Sequence, residues 1–216
     1  MLYYIIIKTD GEIMEVKYII LKKNITYNDL RRYESLLPDH RRQKIARYRF
    51  DADKLRSLIA GLLIRQATGG GELVFGEHEK PYLADGSLYF SVSHSGDVVA
   101  IATDGCELGV DVEAIPKPDR LSIADRFFHP CERDYVHGSA DEARAFCRVW
   151  TRKEAYLKCT GEGISSDLTA FDVFSEPLSS RIVTRDLDGY CLSVCSTHLI
   201  SEEDVYFSKL ELNQIV

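Results

Sequence analysis

The stretch Leu108-Gly-Val-Asp-Val-Glu-Ala-Ile115 carries the alternation of a strand. Side chains alternate across a strand, so Val110 and Val112 share one face while Asp111 and Glu113 share the other, about 7 Å apart along the chain. Two carboxylates that close repel unless a cation or a proton stands between them. Hard oxygen ligands on one face suit Mg²⁺, which usually takes one or two protein carboxylates plus substrate phosphate. An exposed strand edge bearing two acids has the same pattern, so the pair by itself leaves both readings open.

Working outward, the residues after this strand read as helices at Ile123–Phe128, Pro130–His137 and Asp141–Cys159, then as strands around Phe171–Phe174, Tyr190–Cys195 and Val205–Leu212. Upstream, Tyr3–Ile7 and Val16–Leu21 read as strands joined by the turn Thr9-Asp10-Gly11. Asn28–Leu37 reads as a helix that ends before Pro38, and Asp39–Phe50 as a basic helical stretch. Asp51-Ala-Asp-Lys54 can cap the next helix, which runs to Ala67 with Leu55, Leu58, Ile59, Leu62 and Leu63 on one face. Gly69-Gly70-Gly71 breaks it, and strands follow at Leu88–Ser93 and Val98–Thr103. Strands and helices with long connections in each half define an α+β class.

A second chemical stretch is Trp150-Thr-Arg-Lys-Glu-Ala-Tyr-Leu-Lys158. On a helix, Trp150, Lys153, Glu154 and Lys158 fall within an arc of about 140° at 3.6 residues per turn, together with Phe146, Cys147 and Leu157. An i,i+4 Glu/Lys pair stabilises any exposed helix by a few tenths of a kcal/mol. That leaves the tryptophan and the second lysine unexplained. One carboxylate and two cations beside an aromatic suit a metal-bound pyrophosphate, with Glu154 on the metal and Lys153 and Lys158 on phosphate oxygens. Phe90-Ser-Val-Ser93-His94-Ser95 could present a phosphate donor, although a lone histidine at a strand end is more often structural. Lys80-Pro81-Tyr82 sets a lysine in an extended turn.

The chain has 216 residues with a net charge of −7, yet ten Lys/Arg against four acids between Arg31 and Arg65 make that segment +6 and the remainder −13. The acidic total argues against non-specific nucleic-acid coating, which needs a cationic footprint. The local excess fits either a polyanion site or solvated helix faces. Leu2–Ile7 is too short to span a membrane or form a signal core. Six cysteines without CxxC spacing read as reduced thiols, which makes cytoplasmic residence the expectation.

In this order, the motifs Lys80-Pro81-Tyr82, Phe90–Ser95, Leu108–Glu113, Arg126-Phe-Phe128 and Trp150–Lys158 resemble the 4'-phosphopantetheinyl transferases of the surfactin-synthetase (Sfp) type, over roughly residues 38 to 175. The resemblance implies a pseudo-dimeric monomer of two similar α+β halves, 1–105 on the coenzyme A adenosine side and 106–216 with metal and catalytic residues. It further implies transfer of the 4'-phosphopantetheine arm from coenzyme A to a serine of an acyl or peptidyl carrier protein, with adenosine 3',5'-bisphosphate leaving. By the same carry-over, Asp111, Glu113 and Glu154 hold Mg²⁺ (Mn²⁺ as a substitute), and Lys158 and Lys153 neutralise phosphate charge. Lys80 and His94 contact coenzyme A phosphates, His94 the 3'-phosphate, Ser93 also contacts coenzyme A, and Arg41 and Lys44 grip its 3'-phosphate end. His40 and Gln43 are the alternative register for that grip, and Arg56 lies in the following helix. Glu79 stands where the family commonly has glycine. The general base for the carrier serine is Glu154, with Glu132 second. No nucleic acid or membrane partner is expected. Two other readings use the same residues: another Mg²⁺-dependent nucleotide or phosphotransferase, and a non-catalytic coenzyme A or carrier-binding module. The first lacks a G-x-x-x-x-G-K-[ST] loop, and the second gives three clustered acids no purpose.

Overall fold

A computed structural model describes residues 13–76, 80–117, 121–163 and 167–216. The strand expected at Tyr3–Ile7, its turn at 9–11 and Glu79 lie outside the described residues. The chain begins with β1 (Met14–Ile20), a single turn α1 (Tyr27–Leu30) and a 3₁₀ segment (Arg31–Leu36). Helices α2 (Asp39–Arg47) and α3 (Asp51–Thr68) precede the short strands β2 (Leu73–Phe75) and β3 (Pro81–Leu83). Strands β4 (Tyr89–Ser95), β5 (Val98–Asp104) and β6 (Leu108–Ala114) come next. Helices α4 (Ser122–Phe127), α5 (Pro130–His137) and α6 (Glu142–Thr160) lead to β7 (Ile182–Leu187), β8 (Tyr190–Ser196) and β9 (Val205–Lys209).

Two sheets carry the fold. One has the order β4-β5-β1-β9, the other β6-β8-β7. Helix α3 covers the outer face of the first sheet, where Leu55, Leu58, Ile59, Leu62 and Leu63 pack with Ile19, Phe90, Val99 and Ile101. The inner faces meet each other: Met14, Val16, Val98 and Ala100 pack against Leu108, Val110, Val112, Leu192 and Val194. Full burial of each Val, Leu, Ile, Phe or Met among them stabilises the fold by roughly 1.5–3 kcal/mol. The expected mixed α+β architecture is the one observed. The C-terminal strand β9 crosses back to pair with β1 in parallel, so the first sheet draws on both ends of the chain.

Where the two sheets approach, side chains replace a backbone ladder. Ser91, Ser93 and Ser95 on β4 accept hydrogen bonds from the N–H groups of Val110, Val112 and Ala114 on β6, at 3.1, 3.3 and 3.2 Å. The period of two on both strands makes this seam possible. It also sets Asp111 and Glu113 directly beside β4.

The other face of β6 is covered by α6, which begins at its N-cap Asp141 and ends at Gly161 in the left-handed conformation. Gly109 permits the contact. A Cβ there would lie 2.1 Å from the Ala155 carbonyl oxygen and 2.4 Å from the Cys159 nitrogen, both rigid helix backbone. Gly109→Ala is therefore expected to cost at least the ~3 kcal/mol upper end of overpacking penalties, read as a lowered urea midpoint. An unchanged midpoint would show that α6 can slide freely on β6.

Three sequence expectations need correction. Asn28–Leu37 forms only one α-turn followed by 3₁₀, because Leu30 and Leu37 alone are buried there and no apolar stripe sustains a longer helix. The basic helix stops at Arg47, since Tyr48 and Phe50 are extended and Phe50 caps α3. Phe171–Phe174 is not a strand: the Val173 N–H is taken by the Glu132 carboxylate rather than by a sheet neighbour. The outer strand of the second sheet is instead β7, whose polar Thr184-Arg185-Asp186 obscures its alternation.

Candidate active site

Strand β6 and helix α6 bring the carboxylates together. Asp111 is buried, and its Oδ1 accepts from the Ser93 hydroxyl at 2.8 Å and from Lys158 Nζ at 2.6 Å. Its Oδ2 is buried with no hydrogen-bond partner. Glu113 accepts from the Ser95 hydroxyl at 2.6 Å. Glu154 projects from α6 toward both, and its pKa is pushed up from 4.5 to about 7, first by burial and then by Asp111 and Glu113, against the opposing pull of Lys158. Among the described residues, the oxygens of these three acids are not all drawn within 4.8 Å of one another. A divalent cation suits this donor set: it would satisfy the orphaned Asp111 oxygen, relieve the repulsion on Glu154, and offer hard oxygens to a hard ion.

Lys158 caps the cluster from α6, donating also to Ser93 Oγ and the Val110 carbonyl, both at 3.2 Å. Its side chain stays one-third exposed, so the ammonium can reach a ligand. Glu154 and Lys158 line a cavity of about 240 Å³ with Lys80, Pro81 and Val92. Pro81 and Val92 also line a larger cavity of about 770 Å³ between α2, α3 and β2, with Arg41, Lys44, Arg65 and Phe75. The two cavities share Pro81 and Val92 as walls, with Arg41, Lys44 and Arg65 on the larger and Glu154 and Lys158 on the smaller.

Arg41 is oriented by two hydrogen bonds to the Ser57 carbonyl, 3.3 and 3.0 Å, which tie α2 to α3. Burial pushes its pKa down. His94 stands on the surface of β4 with its pKa lowered, first by the desolvation of its surroundings and then by Arg56, Lys158 and Arg41. A neutral imidazole among three cations is a ready anion site, because an arriving phosphate removes the penalty on protonation. Arg56 is itself held by the Gly96 carbonyl at 2.9 Å and by Asp53. His40, the alternative to Arg41, packs edge-on against Phe75 at the rim of the larger cavity.

Other expected site residues are placed differently. Lys153 is fully buried on another face of α6, where Nζ pairs with Glu132 at 2.8 Å and donates to the Leu168 and Phe171 carbonyls. It is not brought to the carboxylate cluster. Glu132, the second candidate base, is equally buried, and its oxygens accept from the His129 and Val173 N–H groups. Neither has a route to a substrate. The 140° arc was too wide: Lys153 and Glu154 are 100° apart around the helix, and Trp150 packs on Phe128 and Phe146. Ser93 is buried and its hydroxyl is consumed by Asp111, Val112 and Lys158, which makes it a positioning residue. Lys80 borders the smaller cavity, but its ammonium is held by Glu107 at 2.7 Å and the Lys158 carbonyl at 2.8 Å. The sequence reading missed Ser91 and Ser95 as builders of the site, although the S-x-S-x-S period was their signal. Arg65 and Phe75 carried no signal, because only the tertiary fold turns them toward the cleft.

Comparison with known proteins places the chain in a family. A family model described as the 4'-phosphopantetheinyl transferase superfamily matches residues 107–208, and one described as 4'-phosphopantetheinyl transferase, N-terminal, matches residues 24–106. The chain belongs to the 4'-phosphopantetheinyl transferases, of the Sfp type, and is a transferase. It is 28% identical over 210 residues to a 4'-phosphopantetheinyl transferase of Bacillus subtilis, covering 86% of this chain and 93% of that protein. It is 36% identical over 165 residues to the 4'-phosphopantetheinyl transferase psf-1 of Bacillus pumilus, covering 70% of each. Likeness to the 4'-phosphopantetheinyl transferase AcpT of Salmonella typhimurium is 35% over 147 residues, covering 65% of this chain and 76% of that one. No helix among the described residues is long and apolar enough to cross a membrane.

Proposed function

We propose that this transferase moves 4'-phosphopantetheine from coenzyme A to a serine hydroxyl of an acyl or peptidyl carrier protein, in a Mg²⁺-dependent reaction that releases adenosine 3',5'-bisphosphate. The observation that carries the reading is the buried, partnerless Oδ2 of Asp111 beside a Glu154 whose pKa is raised to about 7, where Glu154 lines a cavity that shares Pro81 and Val92 with a larger, cation-walled one. In this reading the chain is one cytoplasmic monomer of two halves, 1–105 and 106–216, with residues of both halves around the smaller cavity.

Asp111, Glu113 and Glu154 would hold the cation, which when bound neutralises pyrophosphate charge and acts as a Lewis acid. Arg41, Lys44 and His94 bind and orient the 3'-phosphate end. Lys158 donates to a pyrophosphate oxygen and stabilises charge that builds up as the bond breaks. Glu154 accepts the proton of the carrier serine at a carboxylate oxygen. The serine oxygen forms a bond to the phosphorus bearing the pantetheine arm, and the bond from that phosphorus to the bridging oxygen breaks, with the electron pair leaving on the nucleotide. Ser93 and Ser95 keep Asp111 and Glu113 aimed.

Incubation with Mg²⁺, coenzyme A and a panel of apo carrier proteins tests this by intact-mass spectrometry. The expected result is a carrier heavier by one phosphopantetheine group. No gain on any carrier would sink the reading. The 3'-phosphate assignment has a separate check by calorimetry: Lys44→Ala and His94→Ala should each weaken coenzyme A binding by about tenfold, as for loss of one charge-assisted hydrogen bond. Binding of 3'-dephospho-coenzyme A should be nearly unchanged. Equal losses on both ligands would place these side chains elsewhere on the nucleotide.

A further inference from the structure

His129 and Cys131 open helix α5, and Asp172 approaches them from the segment after α6. His129 is the N-cap, Pro130 the first helical residue and Cys131 the second, so both donors project at the mouth of the helix. One donor atom from each of His129, Cys131 and Asp172 lies within 4.8 Å of the other two, the only such group among the described residues. In a tetrahedral zinc shell, bonds of about 2.0–2.3 Å place ligand atoms about 3.3–3.8 Å apart. Closing the gap needs shifts on the order of 1 Å, which side-chain torsions supply.

The second observation is the frame beneath the three donors. The fully buried Glu132 accepts from the His129 N–H at 2.9 Å through one oxygen and from the Val173 N–H at 2.9 Å through the other. Lys153 then fastens Glu132 to the Leu168 and Phe171 carbonyls. Both backbone stretches that bear the donors are thus clamped to one buried ion pair, immediately beside the donor positions. Such a frame lowers the ordering cost of assembling a site. Phe174 N–H takes Oδ1 of Asp172 at 2.9 Å, which leaves that carboxylate a second oxygen for a ligand. His129 Nδ1 accepts one long hydrogen bond, 3.3 Å, from the Cys131 N–H. Cys131 is exposed, so an ion reaches it from solvent.

We infer that His129, Cys131 and Asp172 form a second cation site, selective for a borderline divalent transition ion of the zinc type, beside the buried Glu132–Lys153 pair and separate from the carboxylate cluster. One nitrogen, one sulfur and one oxygen do not suit Mg²⁺, which takes oxygen only. A thiolate and a carboxylate balance the charge of a divalent ion, and water completes a four-coordinate shell. On binding, the Cys131 S–H bond breaks, the proton passes to buffer and a sulfur–metal bond forms. The bound ion joins α5 to the 168–174 segment and stabilises the folded chain by mass action.

The test uses the full metal-stripped chain in excess Mg²⁺, titrated with Co²⁺ as a spectroscopic probe and then with Zn²⁺. One equivalent of Co²⁺ should give visible bands of tetrahedral strength and a thiolate charge-transfer band, both erased by Zn²⁺. Cys131→Ser should remove the charge-transfer band, and Cys131→Ser and Asp172→Asn should each weaken Zn²⁺ at least tenfold. Asp111→Asn should keep the band. Zn²⁺ should raise the melting temperature of the parent but not of Cys131→Ser, with circular dichroism verifying that the variants fold. A parent without the thiolate band, a band that survives Cys131→Ser, or one lost in Asp111→Asn would overturn the assignment.

Discussion

Glu154→Gln is expected to lower transfer on the order of 10³-fold or more, since in the proposed mechanism one substitution removes both a cation ligand and the base, while making the metal-free protein more stable at pH 8. The second effect follows from the raised pKa. A glutamate that titrates at 4.5 in the unfolded chain and at about 7 in the fold favours its protonated form on folding. Its ionisation therefore costs nothing below about pH 4.5, erodes stability as pH rises from there to about 7, and has its full effect above. At 1.36 kcal/mol per pKa unit the cost at pH 8 is about 3 kcal/mol. Glutamine carries no charge and escapes it. Urea unfolding of both proteins without divalent ions should show the variant ahead by about 3 kcal/mol at pH 8, with the curves converging toward pH 4.5. Equal stabilities at pH 8 would rule out the buried, repelled carboxylate. Cation affinity of the parent should fall about tenfold per unit below pH 7, because the proton and the metal compete for the same oxygens.

Lys153→Met addresses the residue that the helical arc misplaced. It leaves Glu132 buried without its partner, and breaking one side of a buried ion pair costs about 3–5 kcal/mol. For a chain of this size that lowers the melting temperature by roughly 6–20 °C. Pairing it with Glu132→Gln should recover part of the loss, because no uncompensated charge remains. Transfer per folded molecule should stay at the parent level in both variants, since neither side chain reaches the cleft. A collapse of turnover with intact stability would return Lys153 to the phosphate and Glu132 to base catalysis.

Much of this molecule is legible in local pattern. The Gly-Val-Asp-Val-Glu alternation puts the valines on one face and the acids on the other, and the structure has Val110 and Val112 fully buried and Asp111 facing Lys158. Pro130–His137 is found at the expected bounds, and α6 begins one residue after its expected start and ends one residue later. Strand alternation and helix caps depend on neighbours a few residues apart, so they survive without knowledge of the fold. The family motifs work for a related reason: they record which side chains the chemistry requires.

Direction around α6 was decided only in three dimensions. Lys153 and Glu154 are adjacent in sequence and equally polar, yet one enters a buried pair with Glu132 and the other faces the carboxylates. A helix surrounded on several sides has no single polar face, so periodicity cannot say which neighbour each charge meets. The serine seam between β4 and β6, the return of β9 to β1, and the walls of Arg65 and Phe75 join residues far apart in the chain. Their partners are set by packing of whole sheets and helices, and a lysine in sequence becomes a cleft-lining cation or a buried structural one according to the element it meets.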